Sequence, residues 1–322
     1  MRWVRSTGGT LAVTLLTVAC LGAPASASRA VGVEHMHMYE VLDLGAVVGE
    51  SSFAYAVNDH DEVVGDYVEN AKNRAFVWRQ GVVTQLGPSG VSSSAFDINN
   101  HGEVVGISAE RAFLWQDGIM TDLGTLGGPT SMAVAINDHG QIVGRATTTA
   151  GEWHAVLWEH GRIADLGPME AVDVNNHGVV VGASEAGACQ WTGNRRADLG
   201  TLGGRASSAR AINERGHIVG QSETAAGPAH AFLRQHETMT DLGTLPNGIF
   251  SDASDINDRG QIVGSSMLTN GTMSPVMWSN GPAIDLTTRG FPQYSMAIAI
   301  NNHGDIAGEV DTDSGFHAAL FK

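Results

Sequence analysis

The chain has 322 residues, a net charge of -16, 43% apolar and 16% charged residues, and 41 glycines. That acidity repels a phosphate backbone or an anionic membrane surface, and no Lys/Arg cluster offsets it locally, so nucleic acid is not an expected partner. Abundant Gly with few charges suits short strands and tight turns rather than a helical bundle.

Residues 1–27 carry Arg2 and Arg5, an apolar run over residues 11–21, Pro24, and the small residues Ala25, Ser26 and Ala27. This is the pattern of an export signal cut after Ala27. The apolar run falls short of the ~20 residues that a spanning helix needs, so no membrane span is expected in the mature chain. The expected location is secreted or extracellular. An alternative is a lipid anchor through Cys20, against which Thr17 stands where Leu is usual. Residues 28–38 read as a flexible leader; His35 and His37 lie in it without a third metal ligand nearby. Cys189 would then have no internal disulfide partner, and its place among Phe and Val equivalents marks a buried thiol.

From residue 39 onward one motif organises the chain. Its Asn falls at Asn58, Asn99, Asn137, Asn175, Asn213, Asn257 and Asn301, spaced by 41, 38, 38, 38, 44 and 44 residues. Four residues earlier stands Ala each time (Ala54, Ala95, Ala133, Ala171, Ala209, Ala253, Ala297), and seven later stands Gly (Gly65, Gly106, Gly144, Gly182, Gly220, Gly264, Gly308). A fixed period near 40 residues signals a repeat architecture. Each unit resolves into four strand-length segments, in the second unit residues 93–99, 103–108, 111–115 and 119–123, separated by turns rich in Asn, Asp and Gly. Four short antiparallel strands per unit make a propeller blade. The chain begins on a fourth strand, residues 39–44, and ends on a third, residues 318–321, so the N-terminal strand completes the last blade. The expected fold is an all-β, seven-bladed β-propeller over residues 39–322. Such closure removes a sheet edge that an open solenoid would have to cap. The Asn strand should lie nearest the axis, where small Ala residues fit.

At these residues the chain resembles the extracellular HAF-repeat family. The resemblance rests on His230-Ala231-Phe232, on His154-Ala155 and His317-Ala318 as partial copies, and on the DLGTLGG segments at residues 122–128 and 198–204. It implies exported repeat proteins with no assigned activity. Departures are Asp61 in place of the turn Gly, Arg234 in place of Trp, and Ala188-Cys189-Gln190-Trp191 in place of the aromatic triplet.

The candidate chemistry is sparse. Asp97, Asn99, His101 and Gly102 are spaced like the start of a calcium loop, but the third position becomes Arg215 and Arg259 in other units, and a cation there opposes a divalent ion. A hairpin turn is favoured, with the Asn bonding its own backbone in an Asx-type turn. His60, His101, His139, His177 and His303 then share one face as exposed turn residues. Two residues before the Asn, Ala alternates with Asp97, Asp173 and Asp255, expected to accept hydrogen bonds from a neighbouring blade's backbone. No metal site, cofactor or catalytic constellation is expected. The variable connections between second and third strands, by contrast, share a face with the blade-to-blade links, and Tyr67, Trp153, Met267, Met273 and Phe316 are their apolar residues. The resulting expectation is a secreted, monomeric binding module for an unidentified protein or glycan at the cell surface, without catalytic activity. The alternatives are a carbohydrate-active hydrolase using Asp97, Asp173 and Asp255, and a structural cell-surface protein.

Overall fold

The computed structural model describes residues 37–45, 51–193 and 195–322; the expected export signal, Cys20, His35 and most of the leader lie outside these residues. The described chain forms seven sheets of four antiparallel strands, a seven-bladed β-propeller. Blade 1 comprises Ser52–Val57, Val63–Glu69, Lys72–Arg79 and Val82–Gln85, paired in that order. Blades 2 to 6 repeat it over residues 93–122, 127–167, 170–198, 203–243 and 248–285. Blade 7 takes Met296–Ile300, Ile306–Thr312 and Gly315–Phe321 from the C-terminus and Val41–Asp43 from the N-terminus. Val41 pairs with Phe321 and Asp43 with Ala319, so the first strand closes the ring as the repeat count requires.

The first strand of every blade carries one extra residue. Its register slips between Ala54 and Ala56 in blade 1 and at the equivalent pair in each other blade. Such a bulge bends the strand and strengthens its twist. It also explains the recurring Gly of the second strand, whose φ is not positive. A Cβ on Gly65, Gly106, Gly144, Gly182, Gly220, Gly264 or Gly308 would lie 1.8–2.1 Å from a backbone carbonyl oxygen of the bulged strand. No side chain fits there. The opposed Ala residues are buried for the same reason, between 0% and 5% exposed.

The apolar core is divided among the seven interfaces between adjacent blades. Between blades 1 and 2, Val64, Val77 and Leu86 meet Phe113 and Trp115, and the other interfaces repeat this arrangement. Burying each large side chain contributes roughly 1.5–3 kcal/mol before entropy is counted. Cys189 occupies an aromatic's place in the interface of blades 3 and 4, fully buried, and burial pushes its thiol pKa up.

The fourth strand of blade 6 is cut short. After Ile284–Asp285 the chain turns into a single 3-10 turn, Leu286–Arg289, because Asp285 accepts a hydrogen bond from the Thr287 amide at 2.9 Å and Gly290 reverses the backbone at φ 104°. Leu286, expected at a strand end, is still buried at 1% exposure.

Candidate functional site

Two faces compete for function: the axial mouth formed by the Asn turns, and the loop face opposite. At the mouth each repeat Asn makes the expected Asx turn, its Oδ1 accepting from amides two and four residues on, as with His60 and Glu62 for Asn58. Sequence reasoning missed what the other half of the amide does. The Nδ2 of Asn58 donates to the carbonyl of Asn99, Asn99 to Asn137, Asn137 to Asn175, Asn175 to Asn213, Asn213 to Asn257, Asn257 to Asn301, and Asn301 back to Asn58. These bonds are 2.8–3.1 Å long and form a closed ring of amides. The recurring Asn was the visible signal, since Asp could accept in the turn but could not donate across to the next blade.

The next residue in each turn builds a second ring. Side chains of Asn100, Asp138, Asn176, Glu214, Asp258, Asn302 and Asp59 each accept from the preceding blade's amide at 2.8–3.0 Å. Asn and acid residues interleave, so amides such as Asn302 also donate to carboxylates on both sides, Asp59 at 3.1 Å and Asp258 at 3.2 Å. Both rings line an open polar cavity of about 400 Å³ on the axis.

Deeper in the same wall, Asp97, Asp173 and Asp255 each clamp two blades. One oxygen accepts from the amide of the following residue, and the other from Ile136, Ile212 or Ile300 of the next blade, at 2.7–2.8 Å. This is the backbone role expected of them. Burial raises all three above the usual carboxylate range, to about 7, 8 and 6 respectively. Only the seams of blades 2–3, 4–5 and 6–7 are clamped in this way; in blades 1, 3, 5 and 7 the position is Ala56, Ala135, Ala211 and Ala299. Nor do the three Asp converge on a point. Among the described residues, the one group of three acid, His or Cys side chains with ligand atoms within 4.8 Å is Asp61, His303 and Asp305, where Lys322 already pairs with Asp61.

The residues that carry the HAF-like pattern also have structural partners. His154, His230 and His317 bond through Nδ1 to Asp165, Asp241 and Asp43 of the following strand at 2.9–3.1 Å, and Arg111 pairs likewise with Asp122. The amide of the Ala that follows Arg111, His230 and His317 donates to a Ser hydroxyl of the next blade: Ala112 to Ser131, Ala231 to Ser251, Ala318 to Ser52. The five turn His side chains are exposed, as expected.

On the loop face the five apolar candidates separate. Trp153, Met273 and Phe316 are exposed at 42%, 39% and 38%, and Arg145 lies over the Trp153 ring at 4.6 Å. Tyr67 does not belong with them: it tilts against Phe76 at 6.4 Å and packs on the core of the blade 7–1 interface. Met267, half-buried, is register partner to Met273. The sequence reading overlooked Tyr294. It is 58% exposed, held at φ 65°, and with Met273, Asn270, Gln293 and Asp285 lines a cavity of about 240 Å³ between the blade 6 loop and the link to blade 7. A bulky residue in the left-handed region is strained, and such strain gathers at functional sites. No local sequence pattern announces it.

No protein-family model and no curated protein matches the chain. Among solved structures, the propeller domain of the trilobed protease from Pyrococcus furiosus matches with TM-score 0.56 at 8% identity, over 84% of this chain and 93% of that one. The BP39L lectin from Burkholderia pseudomallei matches with TM-score 0.51 at 11% identity, over 84% and 96%. Prolyl endopeptidases match with TM-score 0.55 at 10% identity, over 89% of this chain and 50% of theirs. This chain also spans only 63% of TolB from Acinetobacter baumannii. Identities this low establish the propeller fold alone. They also correct one expectation: the absence of catalysis was read from missing motifs, but propellers of this shape occur in peptidases, so that exclusion does not stand.

Among the described residues, no helix is long and apolar enough to cross a membrane.

Proposed function

We propose that the protein is an exported, HAF-repeat-like propeller that binds a glycan at or outside the cell surface through its loop face. The observation that carries this reading is the cavity beneath Tyr294, where an exposed aromatic face stands beside Met273 and the amides of Asn270 and Gln293. An aromatic plane with a few convergent hydrogen-bonding groups suits the apolar face and hydroxyls of a sugar ring. The axial mouth suits a ligand less well, because its amides and carboxylates are largely occupied by one another's backbone. A lectin among the solved propellers of similar shape accords with the reading. The N-terminal signal pattern supports export.

The test is a glycan array probed with the purified protein and with Tyr294→Ala. Binding of a defined glycan set that weakens at least about tenfold in Tyr294→Ala supports the reading, that factor corresponding to ~1.4 kcal/mol of contact. Failure to bind any glycan, or binding that Tyr294→Ala leaves unchanged, overturns it.

A further inference from the structure

The hairpin between the second and third strands of blade 7 turns at Asp313 and Ser314, and Ser314 stands exposed at its tip. Its Oγ lies 3.0 Å from His317 Nε2, while His317 Nδ1 lies 3.0–3.1 Å from both carboxylate oxygens of Asp43. Asp43 and His317 are 274 residues apart, so no local motif joins them; the closing N-terminal strand does.

The His–Asp pair by itself belongs to the repeat. His154 with Asp165 and His230 with Asp241 are built alike, and Gly167 and Gly243 donate their amides to those carboxylates as Gly45 does to Asp43. Three residues before the His, however, those blades carry Gly151 and Gly227, which have no side chain to offer. Ser314 is what blade 7 adds.

The proton positions follow from which atoms can donate. The Asp43 carboxylate only accepts, so Nδ1 of His317 carries the hydrogen and Nε2 of the neutral ring is left as an acceptor. Thr312 Oγ1 also stands 3.0 Å from Ser314 Oγ, but its own proton goes to the Gly315 carbonyl at 2.7 Å, and it accepts the Ser314 amide at 3.3 Å. Of the two acceptors before the Ser314 hydroxyl, the imidazole nitrogen is the more basic. The ring is also held: His317 is 8% exposed, and a Cβ on Gly45 would lie 2.3 Å from its Cγ. A hydroxyl, a base in contact with it and a third group orienting the base are the parts of an activated nucleophile.

We propose that Ser314, His317 and Asp43 hydrolyse short-chain acyl esters. Ser314 Oγ bonds to the ester carbonyl carbon as its proton passes to His317 Nε2; the bond from that carbon to the alcohol oxygen breaks, and the alcohol leaves with the proton. Water then attacks the acyl–Ser314 ester, giving a proton to His317, and the acid departs as Ser314 Oγ takes that proton back. Asp43 positions the ring and stabilises its transient positive charge. Because Ser314 is exposed and His317 sheltered, the ester arrives from solvent and a short acyl group suffices. None of the three residues lines the cavity at Tyr294, so hydrolysis and glycan binding stand or fall separately.

The test treats full-length protein with a fluorophosphonate, which bonds to an activated serine oxygen as fluoride leaves, locates the label by mass spectrometry, and follows turnover of p-nitrophenyl acetate. Label is expected on Ser314 in the folded protein and not after heat denaturation. Ser314→Ala and His317→Gln should each lower kcat/KM at least about a hundredfold. Asp43→Asn should lower kcat at least about tenfold with KM unchanged, as a group acting through the base must. His230→Gln, at a pair without the serine, should leave turnover as it is. A wild-type protein that takes no label on Ser314 overturns the proposal whether or not a variant folds. So does turnover that survives in Ser314→Ala.

Discussion

Asn301 Nδ2 donates to the carbonyl of Asn58 at 3.1 Å, across 243 residues of chain. This bond returns a ladder that began at Asn58 and visited every blade. The N-terminal strand at the rim and the amide ring at the axis are two of the devices that close the ring. Neither depends on the loop face, which is left free to vary.

Removing one rung should be expensive. Asn137→Ala strands the carbonyl of Asn175 and the amides of His139 and Gln141 that its side chain serves. A loss of about 3 kcal/mol or more is expected in urea unfolding. Asn137→Asp should rescue little of it, since the carboxylate keeps the turn but meets the Asn175 carbonyl without a proton to donate. A fully stable Asp variant would show that the turn alone matters.

Two glycines four residues apart, Gly140 and Gly144, should respond differently to Ala. Gly144→Ala places a Cβ 2.1 Å from the Met132 carbonyl, so the sheet must move apart, and a loss above about 3 kcal/mol is expected. Gly140→Ala meets nothing within 4 Å and has only its φ of +73° to contend with, at about 1 kcal/mol. Equal losses would place the constraint on φ rather than on close packing.

The Ser bridges predict a position-dependent cost. Ser131→Ala removes the acceptor of the Ala112 amide, for about 1–2 kcal/mol. Ser295→Ala should cost less, because the residue it would bridge to in blade 6 is Pro275, which has no N–H. Denaturation midpoints of the two variants decide the point.

Asp97, Asp173 and Asp255 carry raised pKa values of about 7, 8 and 6. In the folded protein they hold protons that the unfolded chain has already released, so their contribution to stability falls as pH rises from the ordinary carboxylate range through these values. Replacing all three by Asn mimics the neutral acid in charge but loses acceptors. The stability gap between wild type and the triple variant should therefore narrow between about pH 4 and about pH 8. A gap that widens would mean the paired amides keep the acids ionised.

Much of the ring was legible because repetition reports constraint: Ala54, Gly65 and their copies recur where backbone leaves no room, and the fourth-strand count located the closing strand. The direction of the Asn amide was not legible. A turn-forming Asn and a bridging Asn read the same until the next blade's carbonyl is in place. Tyr294 escaped for the opposite reason, since it departs from the repeat and only tertiary neighbours reveal it. Tyr67 misled because its loop position suggested display, whereas Phe76 beneath it offers a packing surface.

Closure of the ring can be measured by amide hydrogen exchange across the seven Asn turns. The His60 and Glu62 amides of the first turn and the His303 and Asp305 amides of the last are bonded as those of His139 and Gln141 are. Equal protection in all three turns is the predicted result. Fast exchange confined to the first and last turns would contradict a closed propeller.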